Sequence, residues 1–238
     1  MPQTQIIGPS GSPMEVDKTF LAGRIALRPL EYAGKGRVNG HYAVAQTSGA
    51  IAATPTALDV HASIRWAAST AYLVLMRIKC GWGVISAVTT AVRMAYQASI
   101  VRNFTVDYVT GSTAINMATI AKTGAMRSSM GQSLLGTAGP RITTTGAMTG
   151  QTGILDAAPF ASTNWPGILS SNATGTAVLM GLGFSGNMQT LYECTGNGQH
   201  PVVLAENEGV AVQLVHTGWA TGTLGFNCVW EWAEVEVF

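Results

Sequence analysis

The sequence predicts an all-β protein: a two-sheet, jelly-roll-like sandwich with an extended N-terminal arm and long Gly/Thr-rich loops. Two observations carry that expectation. Short apolar runs alternate with period two, the mark of half-buried strands. Glycine is frequent, at 28 of 238 residues, and punctuates those runs with turns. Apart from the fold, charged residues make up only 11% of the chain, well below the roughly 25% of an ordinary soluble domain, which reads first as a surface that largely faces other protein, with a neutral surface of Thr, Ser and Asn as the other reading.

Residues 1–19 read as the arm, because Gly8-Pro9-Ser10-Gly11-Ser12-Pro13 resists both helix and central strand. Its few apolar groups, Ile6, Ile7, Met14 and Val16, are too few for a core. Ile6, Ile7 and Met14 are therefore candidate contacts with a neighbouring subunit. Residues 20–238 form the expected single β-sandwich domain. Phe20 to Leu30 fits helix or strand, and Asn39-Gly40 is a good turn dipeptide. Val60, Ala62, Ile64 and Trp66 alternate with His61, Ser63 and Arg65. Tyr72, Val74, Met76, Ile78 and Cys80 continue on one face, so the two runs make a hairpin or a sheet-crossing corner. Ile85, Val88, Val92 and Ala95 recur at helical spacing, which predicts a short helix within Val84–Ile100. Phe104, Val106 and Tyr108 predict another strand. The stretch 111–176 is rich in Gly, Thr, Ala and Ser, with scattered apolar anchors, and predicts long ordered loops with short strands. Ala177 to Met180 opens a last apolar stretch.

The C-terminal part has the clearest pattern. Val210, Val212 and Leu214 share one face, and Leu224, Phe226, Cys228, Trp230 and Trp232 share another, which reads as a closing hairpin. After Trp232 the apolar parity flips to Ala233 and Val235, so either a bulge re-aims the strand or its end meets a different neighbour.

The net charge of +1 hides a split. Residues 1–141 carry thirteen basic and five acidic groups, net +8, while residues 142–238 carry seven acidic groups and no Lys or Arg. Such a split makes a dipolar subunit, or cancels if the halves interleave. The basic residues are spread singly, which argues against nucleic acid. Cys80, Cys194 and Cys228 lack ligand spacing and read as reduced thiols, with Cys80 and Cys228 as small buried hydrophobes. No signal-peptide pattern opens the chain, and the apolar run between Lys79 and Arg93 is too short to span a bilayer.

Catalytic, cofactor and metal residues are not expected. Gly181-Leu182-Gly183-Phe184-Ser185-Gly186 matches a dinucleotide fingerprint, with Glu206 twenty residues on, but no βαβ unit surrounds it. His41, His61, His200 and His216 are isolated and read as surface histidines rather than metal ligands. Glu231, Glu234 and Glu236 read as a solvated or ion-paired strand end. Trp219, in a turn between Gly218 and Gly222, is read first as an interface anchor, with a core lid and a ligand platform as the other readings.

Ile64-Arg65-Trp66-Ala67, Arg127-Ser128-Ser129-Met130-Gly131 and Val202-Val203-Leu204-Ala205-Glu206-Asn207-Glu208-Gly209 occur in that order, followed by Trp230-Glu231-Trp232-Ala233-Glu234-Val235. In these segments the chain resembles a family encoded among the structural genes of tailed bacteriophages. The resemblance frames most of residues 40–238 and does not cover the arm. It implies a non-enzymatic virion component, a capsid decoration or cement protein, assembled in the host cytoplasm. Its implied partners are the major capsid protein and copies of itself, as a trimer, without nucleic acid or membrane. The alternative is a tail-associated, receptor- or carbohydrate-binding β-module.

Overall fold

The computed structural model describes residues 38–236 apart from 53, 87–91, 119–123, 126–130, 172–176, 181–187, 195–199, 217 and 220. The arm and the segment from Phe20 to Leu30 lie outside the described residues. Thirteen strands run as β1 (Val38–Thr47), β2 (Val60–Trp66), β3 (Tyr72–Ser86), β4 (Val92–Arg102), β5 (Ser112–Ala114), β6 (Arg141–Thr143), β7 (Ile154–Leu155), β8 (Ala161–Ser171), β9 (Ala177–Met180), β10 (Gln189–Glu193), β11 (Val202–Leu204), β12 (Glu208–Leu214) and β13 (Thr223–Val235).

They form two antiparallel sheets. The five-stranded sheet has the order β1-β13-β3-β10, with β11 also on β3. The eight-stranded sheet has the order β5-β6-β2-β12-β4-β8-β9, with β7 on β4. One apolar core joins the sheets, drawing Tyr42, Leu75, Phe226, Trp230 and Trp232 from the first and Ile64, Trp66, Tyr96, Val210 and Val212 from the second. Two sheets sharing one core make a sandwich.

The first four strands alternate between the two sheets. β2 lies in the eight-stranded sheet and β3 in the five-stranded one, so the sequence 67–71 is a corner, fastened by Trp66 Nε1–H donating to the Ala71 carbonyl at 2.7 Å. The same holds for the C-terminal pair. β12 pairs β2 and β4, whereas β13 pairs β1 and β3, so the closing hairpin expected from sequence is instead an arch between sheets. Alternation records which face a residue occupies, not which strand lies beside it.

Three further expectations are corrected. The helix expected within Val84–Ile100 is absent among the described residues: Ile85 belongs to β3, and Val92 and Ala95 to β4. Asn39-Gly40 is no turn but lies inside β1, at an irregularity in its pairing with β13. Phe104 to Tyr108 is not a strand. The rings of Phe104 and Tyr108 pack T-shaped, 5.6 Å apart, over the far face of the eight-stranded sheet with Val60, Val101, Met148 and Ala211, while Thr105 and Val106 between them are exposed and Asp107 is buried.

Two bulges reset parity. Trp232 pairs with Leu75 and Glu231 with Arg77, leaving Met76 as the extra residue of β3. Leu73 and Leu75 therefore enter the core together with Ile78, Cys80 and Trp82, while Val74 packs on the other face with Ala233 and Val235. That contact settles the end of β13: Ala233 and Val235 meet a different neighbour, and the strand itself does not flip. In β2, Val212 pairs with Ala62 but Gln213 with Val60, so His61 is the extra residue.

Candidate functional site

Two parts of the molecule hold its polar and apolar peculiarities: a layer of loops over the eight-stranded sheet, and an aromatic cluster enclosing His61.

The loop layer comprises residues 103–111 and 144–156. It runs antiparallel to itself, with Thr110 bridged to Thr149 and the Thr152 N–H donating to the Val106 carbonyl at 3.3 Å. The Thr152 hydroxyl also accepts from the Val106 N–H at 2.9 Å. The layer is tied to the sheet by Phe104 N–H on the Asn207 carbonyl, Met148 N–H on Val60 and Asp156 N–H on Ile100. Its close approach needs glycine. A Cβ on Gly209 would stand 2.4 Å from the Ile64 carbonyl oxygen and 2.5 Å from Phe104 Cδ1, and one on Gly153 would stand 2.3 Å from Val101 Cγ1. Asp107, buried beneath the layer, accepts from Arg141 Nε at 2.8 Å and from the Tyr108 N–H at 2.8 Å. Burial, helped by the nearby Asp107 charge, pushes the Tyr108 phenol up to about 12, so it stays protonated.

With its anchors turned inward, this layer turns apolar groups outward. Val106 is 42% exposed, Val109 53% and Ile154 64%. The polar residues of the layer include Thr105, Thr110, Thr149 and Thr152 with Asn103 and Gln151, and Arg102 at the edge is held by Asp156 at 3.0 Å and Glu208 at 2.9 Å. An apolar, nearly neutral patch loses little on desolvation and is suited to a protein partner.

The bulge at His61 turns its ring into the core, where it is fully buried, so the expectation of a surface histidine is corrected. Its Nδ1 shares a 2.7 Å hydrogen bond with the Tyr96 hydroxyl, and Nε2 has no protein partner. Trp82, Tyr96 and Phe226 surround it at centroid distances of 5.9 Å. Burial pushes the imidazole down to about 4, opposed by the nearby Asp59 charge. The ring is therefore neutral near pH 7, and full enclosure leaves it no path to a substrate. Trp219 closes the same cluster. It is buried, lies edge-on to Trp82 at 5.5 Å, and donates through Nε1 to the Gly222 carbonyl at 3.2 Å. It is a lid on the core rather than an exposed anchor or platform.

The carboxylates near the C-terminus separate by face. Glu231 contacts Arg77 at 2.5 Å and His41 at 3.1 Å, on the face away from the core. Glu234 is fully buried, contrary to the solvated strand end expected. It accepts from the Ser133 hydroxyl, from the Leu134 N–H at 2.9 Å and from Trp232 Nε1 at 3.1 Å. Burial raises its pKa and these three bonds oppose the rise. It latches the loop around 133–135 to the sheet.

Among the described residues no group of three or more His, Cys, Asp or Glu is placed to hold a metal, and no helix is long and apolar enough to cross a membrane. The fingerprint glycines Gly181 to Gly186, and the candidate contacts Ile6, Ile7 and Met14, lie outside the described residues. His200 and His216 are exposed. The apolar loop patch was missed in the sequence. Its only trace there was the pairing of Phe104 and Tyr108 with the intervening Val106. The chain matches no protein-family model, no curated protein and no solved structure.

Proposed function

We propose that the chain is a structural component of a tailed-bacteriophage virion, a capsid decoration or cement protein that binds the assembled shell as a homo-oligomer, most simply a trimer. We read its sandwich as a jelly roll. The strand order supports that winding, and the sparse charge with the exposed loop layer carries the function. Taken inward from the two ends, the antiparallel pairs are β1 with β13, β2 with β12, β3 with β10 and β11, and β4 with β8. Four nested pairs are one long hairpin, and wrapping it into a sandwich brings β13 beside β3 and β12 beside β4, as here. That winding is the jelly roll of viral capsid and lectin domains. Fold alone does not assign function, and three features favour the shell over the sugar. The charge is sparse, the loop layer presents Val106, Val109 and Ile154, and three of the four segments resembling phage structural proteins fall on β2, on β11 and the start of β12, and on β13. A carbohydrate site calls for an exposed aromatic platform; among the described tryptophans, Trp66, Trp82, Trp219, Trp230 and Trp232 are all buried, and Tyr72 is the large aromatic that stands exposed among the described residues.

In this reading the loop layer meets the major capsid protein or a second copy of the chain, burying the exposed apolar groups. The test is co-sedimentation of the purified protein with undecorated heads. The double variant Val109→Asp/Ile154→Asp should keep the wild-type circular dichroism spectrum and lose particle binding by tenfold or more, about 1.4 kcal/mol. Wild-type protein that fails to sediment with heads, or a variant that binds as tightly, contradicts the proposal.

A further inference from the structure

Cys80 and Cys228 face each other across the two central strands of the five-stranded sheet, directly in register. Both are fully buried and both are free thiols. Which kind of antiparallel pair they form follows from the backbone. A residue's N–H and C=O point to the same side of a strand, and the side alternates along the chain. In β13, Leu224 exchanges hydrogen bonds with Ile51, at 2.8 and 3.1 Å. The Phe226 carbonyl accepts from the Ser48 N–H at 2.8 Å, and the Phe226 N–H donates to the Ser48 hydroxyl at 2.8 Å. Even-numbered residues of β13 thus turn their backbones toward β1 and away from β3. The register from Leu224 through Glu231 is unbroken. Cys228 and Cys80 are therefore a non-hydrogen-bonded pair, the close type, with Cα atoms about 4.5 Å apart and side chains on one face. A disulfide requires a Cα separation of about 4.4–6.8 Å.

We propose that Cys80 and Cys228 are a cross-strand disulfide site, reduced where the chain is made and closed by exchange with a small-molecule disulfide in an oxidising medium. The Cys80 thiolate attacks one sulfur of that reagent and expels a thiol. The Cys228 thiolate then attacks the mixed disulfide at the Cys80 sulfur, releasing the second thiol. The two cysteine protons end on the two thiols, and the reagent is the oxidant. Burial pushes the Cys228 thiol well up, and a hydrogen bond with Cys80 adds to this. The exchange therefore waits on local opening of the sandwich, since the thiolate is the nucleophile. Cys194, half-buried and just past β10, is the internal control.

The test holds the folded full-length chain, isolated reduced, in an oxidised/reduced glutathione buffer at urea concentrations below its unfolding transition. Acid quenching, alkylation in denaturant and peptide mapping follow. The expected product links Cys80 to Cys228 and leaves Cys194 alkylated, and Cys194→Ser gives the same product. Unguided closure favours the shorter loop between Cys194 and Cys228, so the pairing itself reports the fold. The oxidised chain should have an unfolding constant lower by on the order of a hundredfold, a difference that Cys228→Ala abolishes. Should that variant not fold, the comparison of oxidised with reduced wild type decides. Both cysteines alkylated after equilibration, a link through Cys194, or oxidised protein no more stable than reduced overturns the proposal.

Discussion

Replacing His61 with Gln should flatten one part of the protein's acid response. The wild-type ring is held neutral by burial, with its pKa lowered from 6.5 to about 4. Above pH 6.5 neither the folded nor the unfolded chain protonates it, and its full contribution to stability is present. Between pH 6.5 and 4 the unfolded chain takes up a proton that the folded core refuses, so stability falls as pH falls, by up to about 1.4 kcal/mol per unit. Below about pH 4 both states are protonated and the loss levels off near 3 kcal/mol. Glu234 acts with the opposite sign. Its raised pKa gives stability that is full below 4.5 and lost as pH rises through the folded value, so the total wild-type profile blends the two. The difference between wild type and His61→Gln removes Glu234 and every other shared carboxylate. Urea unfolding followed by tryptophan fluorescence at half-unit steps from pH 7.5 to 4 supplies that difference. The wild-type advantage over the variant should shrink by about 3 kcal/mol across the range. A difference independent of pH would refute the enclosed, neutral imidazole.

Two further substitutions probe the packing. Trp230→Ala removes a fully buried ring from the shared core and should cost about 3–5 kcal/mol in urea unfolding, so a loss under about 1 kcal/mol would mean the core is placed wrongly. Gly209→Ala forces a methyl against the Ile64 carbonyl and the Phe104 ring and should cost about 1–3 kcal/mol. An unchanged unfolding midpoint would show that the loop layer does not press on β12.

Much of the fold was legible because burial on one face leaves period-two alternation. β2, β12 and β13 were readable as strands, down to the core-facing Leu224, Phe226, Cys228 and Trp230. Their partners were not, since Val212 and Phe226 would alternate identically in a hairpin or in an arch. Bulges were hidden for a related reason. One extra residue at Met76 exchanges faces on either side, and the sequence then shows two plausible parities. His61 looked polar-facing because Val60, Ala62 and Ile64 set a rhythm that the bulge breaks at Val60. The helix expected around Ile85 and Val92 arose from residues of two different strands falling at helical spacing. β1 was missed although Tyr42, Val44 and Gln46 alternate, since Asn39-Gly40 drew the reading toward a turn. The apolar patch lay furthest from view. Val106 and Val109 lie some forty-five residues from Ile154 in the sequence, and the two segments come side by side because Thr149 and Thr152 pair with Thr110 and Val106.

The central claim, that the chain is part of a phage shell, is tested most directly by quantitative mass spectrometry of gradient-purified virions made by the phage that encodes it. The proposal predicts the chain in the particle in a fixed, high ratio to the major capsid protein, retained when heads are separated from tails. Its absence from purified virions, or a few copies that follow the tail fraction, would contradict it.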